Sequence, residues 1–254
     1  METSGSGSGF LHFILSLHCR LCTMLNLFQQ YPKAPGITLA VIIAVSILVL
    51  LEKAFHETLA SRRDVYPALL TFLVISSKTI IPLFLLWKLA GLNPSCLGWV
   101  NGGLWQALWK GMVLAAGMMV FAGLYQKYSY LIFNTPYVST GGSALGHTSS
   151  AVAIALLLSA SLLNAFGEEI IFRGMLLPVL SNRFGIAVSI ILQSLIFTLY
   201  HFFPLQNSVL LFCMGVFFAL GYRWSGSLLT PVIAHLIENG TGSAVFLIKL
   251  LGRS

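Results

Sequence analysis

From Ile37 to Leu51 the chain reads ITLAVIIAVSILVLL, without a charge, a glycine or a proline. Apolar runs with few charges follow at 67–90, 104–126, 148–166, 185–203, 207–223 and 228–250. A helix needs about 20 mainly apolar residues to cross the hydrocarbon core of a bilayer. Inside that core only helices and closed barrels satisfy their own backbone polar groups. Runs of this length and spacing therefore predict an all-α fold, a polytopic membrane helical bundle. A further run at 10–28 contains His12, His18 and Arg20. It reads as an interfacial helix or an additional crossing, so seven or eight transmembrane helices are expected. It is a poor signal peptide, because no basic region precedes it and Arg20 interrupts it.

Composition agrees with that placement. The chain is 57% hydrophobic and 8% charged, against roughly 25% charged in soluble domains. The net charge of +7 is carried mostly by residues set singly near the ends of apolar runs: Lys33, Lys53, Lys88, Lys127, Arg183, Arg223 and Lys249. Such positions suit interfacial anchors. No basic stripe interleaves with aromatics, so nucleic acid is not an expected partner; membrane lipid is. Trp87, Trp99, Trp105, Trp109 and Trp224 fall near run ends, as an aromatic belt does. Basic residues divide too evenly between the two faces to set an orientation. Cys19 and Cys22 form a C-x-x-C without a second pair, and they read as apolar residues like Cys96 and Cys213. The longest polar segment, Asn134 to Ser150, reads as a loop over the mouth of the bundle. The chain divides into N-terminal transmembrane helices without a recognisable motif, 1–145, and a core that carries the chemistry, 146–254.

Charge inside the membrane costs roughly 2.5–3.5 kcal/mol on insertion scales and usually marks function. Three clusters of polar residues lie in apolar helical context. In the first, NAFGEEIIFRG, Glu169 and Arg173 are four residues apart and share a helix face. Glu168 is rotated about 100° from them and reads as the free carboxylate, a candidate general base. In the second, FTLYHF, Phe197 lies one turn before His201 and can wall its ring from lipid. In the third, PVIAHLIENGTG, His235 and Asn239 share a face and can supply oxyanion donors. Glu238 lies beside them without an evident role. Each cluster also has a plain structural reading, as an ion pair, an interfacial histidine or an interhelical clamp. The set holds no serine or cysteine nucleophile at a recognisable elbow and no H-E-x-x-H.

Taken together, Glu168-Glu169-x-x-x-Arg173, Phe197-x-x-x-His201 and His235-x-x-x-Asn239 resemble the three motifs of the CPBP family. These are the CAAX-prenyl-protease and bacteriocin-processing (Abi) intramembrane endopeptidases. The resemblance covers roughly 150–245. It implies about eight transmembrane helices around a conical polar cavity, and a glutamate-type peptidase without a cofactor. It implies Glu168 as the base that activates water, with His201 assisting. His235 and Asn239 would stabilise the oxyanion, and Glu169, Arg173 and Phe197 would support the site. The substrate implied is a lipidated or membrane-associated protein tail. The membrane would be the plasma or inner membrane in a bacterium and the endoplasmic reticulum in a eukaryote.

Two alternatives use the same residues. Glu168, His201 and His235 are an acceptable zinc set, which would make a metallopeptidase. The clusters can also serve proton-coupled transport or non-catalytic binding, although no inverted repeat is visible.

Overall fold

The computed structural model describes residues 34–59, 66–89, 103–135, 137 and 151–251. In chain order the helices are α1 (Ala34–Leu59), α2 (Tyr66–Leu89), α3 (Leu104–Tyr128) and the single turn α4 (Tyr130–Phe133). Then follow α5 (Ala151–Glu169), a π-helical segment (Ile170–Leu176), α6 (Leu177–Phe184), α7 (Ile186–Tyr200), α8 (Leu205–Ser225) and α9 (Leu229–Leu251). No strand is present among the described residues. The all-helical membrane class is as expected.

The expectation of seven or eight crossings is met in part. Among the described residues five stretches are long and apolar enough to span: Pro35–Ala54, Tyr66–Phe84, Leu104–Phe133, Ile154–Phe184 and Leu205–Ser225. Ile186–Tyr200 is apolar but shorter. The run at 10–28 lies outside the described residues, with Cys19 and Cys22; Cys96 and most of the 134–150 loop lie outside them too. The span expected at 148–166 does not end at the paired glutamates. The helix continues through them to Phe184, because the acids and Arg173 satisfy one another inside the bundle.

The continuation is not a regular α-helix. Leu177 donates its N–H to the carbonyl of Phe172, five residues back. Pro178, in the next turn, has no N–H to give. Such π turns are common at functional sites. At the helix ends Gly185 (φ 73) stops α6 and Gly226 (φ 66) caps α8, conformations that suit glycine.

Helix α9 sits at the centre, packed on α3, α5 and α8, while α2 lies along α5 and α1. Thus the helices before residue 145 wall the segment that carries the motifs. At one close approach, Gly167 of α5 meets Thr79 of α2, whose hydroxyl donates to the Leu163 carbonyl at 2.9 Å. The outer faces expose aliphatic rows, such as Leu39, Ile43 and Ile47 on α1 and Ile191, Leu195 and Leu199 on α7. These four-residue spacings turn apolar surface toward lipid. Trp109 and Trp224 meet edge to face at 5.4 Å, which places the start of α3 and the end of α8 at one level. Trp87 and Trp99 supply no described side chain.

Candidate functional site

Glu168 and Glu169 end α5 and are both buried, with Arg173 fully so in the π-helical segment. The ion pair expected from the spacing is formed: Arg173 Nη1 donates to Glu169 Oε1 at 3.0 Å. Arg173 Nη2 donates to the carbonyl of Gly215 on α8 at 3.1 Å. The guanidinium lies 4.6 Å from the Phe197 ring centre and 4.9 Å from that of Phe218. Two aromatic faces and one carboxylate thus replace water around this charge.

Glu169 has a second partner. Its Oε1 also accepts from Nδ1 of His235 at 2.9 Å, and the His235 ring stacks on Phe218 at 4.7 Å. A carboxylate that holds Nδ1–H sets the tautomer and the orientation of the ring. His235 Nε2 is then left facing Glu168 Oε2, 3.8 Å away.

His201 caps the C-terminus of α7, just before Phe202, which takes a left-handed φ of 51. Its Nδ1 lies 2.7 Å from the Phe197 carbonyl. A carbonyl only accepts, so Nδ1 carries the proton and the neutral ring presents a lone pair at Nε2. That atom lies 3.4 Å from Glu168 Oε1. Phe197 therefore does more than shield the ring, which it also contacts edge-on at 4.8 Å: its backbone sets the tautomer.

Glu168 is not free of local partners. The amide of Asn164, one turn earlier, donates to its Oε1 at 2.6 Å. This corrects the reading of Glu168 as a carboxylate without a helical neighbour. The signal was present, since Asn164 stands four residues before Glu168 in the same stretch. A second missed contribution comes from the N-terminal helices. Lys78 on α2 and Glu52 on α1 form an ion pair of 2.9 Å, and Lys78 is close enough to act electrostatically on Glu168. Nothing in the spacing of residues 52 and 78 links them to residue 168.

Asn239 is divided between two tasks. One amide hydrogen goes to the carbonyl of Ser161 on α5 at 3.1 Å, the interhelical clamp considered above. The side chain also lines a cavity of about 310 Å³. Asn164, His201, His235 and Glu238 share that wall. Glu168 lies just behind it and is 3% exposed. A wider hollow of about 580 Å³, beside Lys127 and Asn134, shares Gln126 and Tyr137 with the first. Tyr137 lies beyond the end of the α3–α4 stretch, and burial pushes its phenol above the ordinary pKa, so it stays a neutral hydrogen-bonding group.

All seven residues singled out from the sequence thus meet in one place. Glu168 faces both histidines, Glu169 joins Arg173 to His235, and Phe197 orients His201. Two acceptors, Glu168 Oε1 and His201 Nε2, lie 3.4 Å apart, close enough to share a proton or for both to reach one water beside them. Among the described residues no group of three His, Cys, Asp or Glu side chains is arranged to hold a metal ion.

Residues 150–241 match the model of the Rce1-like family, described as type II CAAX prenyl endopeptidase, Rce1-like. That segment contains all three motifs, and the family resemblance read from them is borne out there. No curated protein and no solved structure matches the chain. The segment is thus similar to a protease family, in a chain with five described stretches long and apolar enough to cross a membrane.

Proposed function

We propose that the protein is an intramembrane endopeptidase that cleaves a lipidated or membrane-associated protein tail with a water activated by Glu168 and His201. The observation that carries this reading is the convergence of three helices on one carboxylate: His201 Nε2 at 3.4 Å and His235 Nε2 at 3.8 Å from its two oxygens. A carboxylate and an imidazole lone pair that reach one water can take a proton from it, as a general base does.

A water between Glu168 and His201 Nε2 gives one proton to the carboxylate as its oxygen bonds to the scissile carbonyl carbon. The negative charge that develops on the carbonyl oxygen meets the second amide hydrogen of Asn239 and, when the ring carries a second proton, Nε2–H of His235. Collapse of the tetrahedral species breaks the C–N bond. The proton held by Glu168 passes to the leaving amine, and a new carboxyl terminus remains. Glu169, Arg173 and Phe197 do not touch substrate in this scheme; they hold the two imidazoles in the required tautomers.

The zinc alternative draws on the same geometry, since both Nδ1 atoms are engaged and both Nε2 atoms face Glu168, as in metal sites. We favour the metal-free scheme because Glu168 Oε1 already accepts the Asn164 amide and no three-ligand group is present among the described residues. The test is cleavage of a prenylated C-terminal peptide by the purified protein in liposomes. Activity is expected to need Glu168 and to survive a strong chelator. Loss to the chelator with recovery on Zn²⁺ overturns the metal-free scheme. Unchanged cleavage by Glu168→Gln overturns the assignment of Glu168 as the base, and no cleavage of any peptide by the wild type favours binding or transport.

A further inference from the structure

Glu238 takes no part in the scheme above, yet it stands in the wall of the same cavity. Among that cavity's described lining residues it is the only acid, and none is a lysine or arginine. No hydrogen bond reaches its carboxylate among the described residues, although it is only half-buried and open to the hollow. The ionisable groups closest to it electrostatically are His235 and Glu169. His235 already gives its Nδ1 hydrogen to Glu169, and Glu169 is itself an acid. The cavity thus holds a carboxylate, and among its described lining residues there is no lysine or arginine to meet it. An acid in such a place is costly unless something compensates it. The compensating charge can arrive with the substrate.

The position is informative. Glu238 follows His235 by three residues, about 4.5 Å along α9. An extended peptide advances about 3.3 Å per residue. A carboxylate at that offset is within reach of a side chain one or two residues from a scissile bond held at His235. Tyr137 feels its charge and also lines the wider hollow, so Glu238 stands on the side from which a peptide in that hollow would approach.

We propose that Glu238 is a specificity residue that pairs with a basic side chain, lysine or arginine, close to the scissile bond of the substrate. This rests on the peptidase reading of the site. It adds that the cavity selects by charge as well as by membrane attachment.

The probe is a set of prenylated C-terminal peptides in neutral-lipid liposomes. Each carries lysine, norleucine or glutamate at one position within three residues of the cleaved bond. The wild type is expected to prefer lysine over norleucine by about tenfold in kcat/KM at one position, a preference worth ~1.4 kcal/mol. Glu238→Gln is expected to erase that preference while cleaving the norleucine peptide at the wild-type rate. Glu238→Lys is expected to turn the preference toward glutamate. The same peptides are also tested for binding to the Glu168→Ala protein, with and without Glu238→Gln, which reads the preference without cleavage. Equal binding of lysine and norleucine peptides by the Glu168→Ala protein overturns the inference, even where the wild type cleaves both. An equal loss across all peptides in Glu238→Gln also overturns it, because that pattern belongs to a backbone contact or a structural role. Failure of the wild type to cleave any peptide, with the lysine preference in binding intact, overturns the peptidase reading and leaves the charge-selective site standing.

Discussion

At the residue scale the site is organised by which nitrogen of each histidine is already engaged. His201 and His235 both spend Nδ1 on an acceptor and turn Nε2 toward Glu168. Removing the carboxylate charge by Glu168→Gln keeps the shape and is expected to lower kcat by 10²- to 10⁴-fold, with KM little changed, in a peptide-cleavage assay. Asn164→Leu removes a hydrogen bond to that carboxylate. Bonds to charged groups are worth about 1.5–3 kcal/mol, so kcat is expected to fall roughly ten- to a hundredfold. An unchanged pH–rate profile in this variant would contradict the role given to Asn164. Arg173→Met leaves Glu169 buried with one partner fewer. The expected loss is about 3–5 kcal/mol, read as unfolding in a denaturant series in detergent. The double variant Glu169→Gln, Arg173→Met is expected to recover part of it.

Much of this arrangement is legible in the sequence because helical spacing is short-ranged. Glu169 with Arg173 and Phe197 with His201 are one-turn relations, and a period of 3.6 residues fixes them before any tertiary contact forms. Glu169 with His235, and Lys78 with Glu52, cross between helices. No periodicity encodes those pairs. The expectation for Asn239 was incomplete for the same reason, since its Ser161 partner lies on another helix.

At the scale of elements, the carboxylates are positioned by how closely α5 lies on α2. A Cβ added at Gly167 would sit 2.5 Å from Thr79 Oγ1 and 3.1 Å from Thr79 Cα. The second contact is backbone, which cannot turn aside. Gly167→Ala is therefore expected to push α5 from α2 at a cost of about 1–3 kcal/mol, and to lower activity through the adjacent Glu168. Gly117, inside α3, has nothing within 4 Å of an added Cβ. Gly117→Ala is the control and is expected to be neutral or slightly stabilising. Equal stability of the two variants in the same detergent would contradict the close-packing account. The glycine was visible in the stretch that carries the glutamates, but the helix it meets was not. The continuous helix from Ile154 to Phe184 was hidden for a related reason. Two acids and an arginine look like a break in hydropathy until their partners are known.

At the scale of the whole molecule, the N-terminal helices lack a motif yet wall the site through α1 and α2. Glu52 and Lys78 bring a second ion pair near Glu168. Apolar outer faces turn toward lipid, while the inner cavity has a polar wall that includes Asn164, His201, His235 and Glu238. The seven residues singled out from the sequence occupy three sequence segments, and only the folded bundle unites them. Their union around Glu168 is the central claim.

The most direct test of that claim is cleavage of a prenylated C-terminal peptide in liposomes by wild type and Glu168→Gln, each with and without a strong chelator. The account predicts cleavage by wild type at the same rate in both conditions, and none above background by the variant. Wild-type cleavage abolished by the chelator and restored by Zn²⁺, or full cleavage by Glu168→Gln, would contradict it.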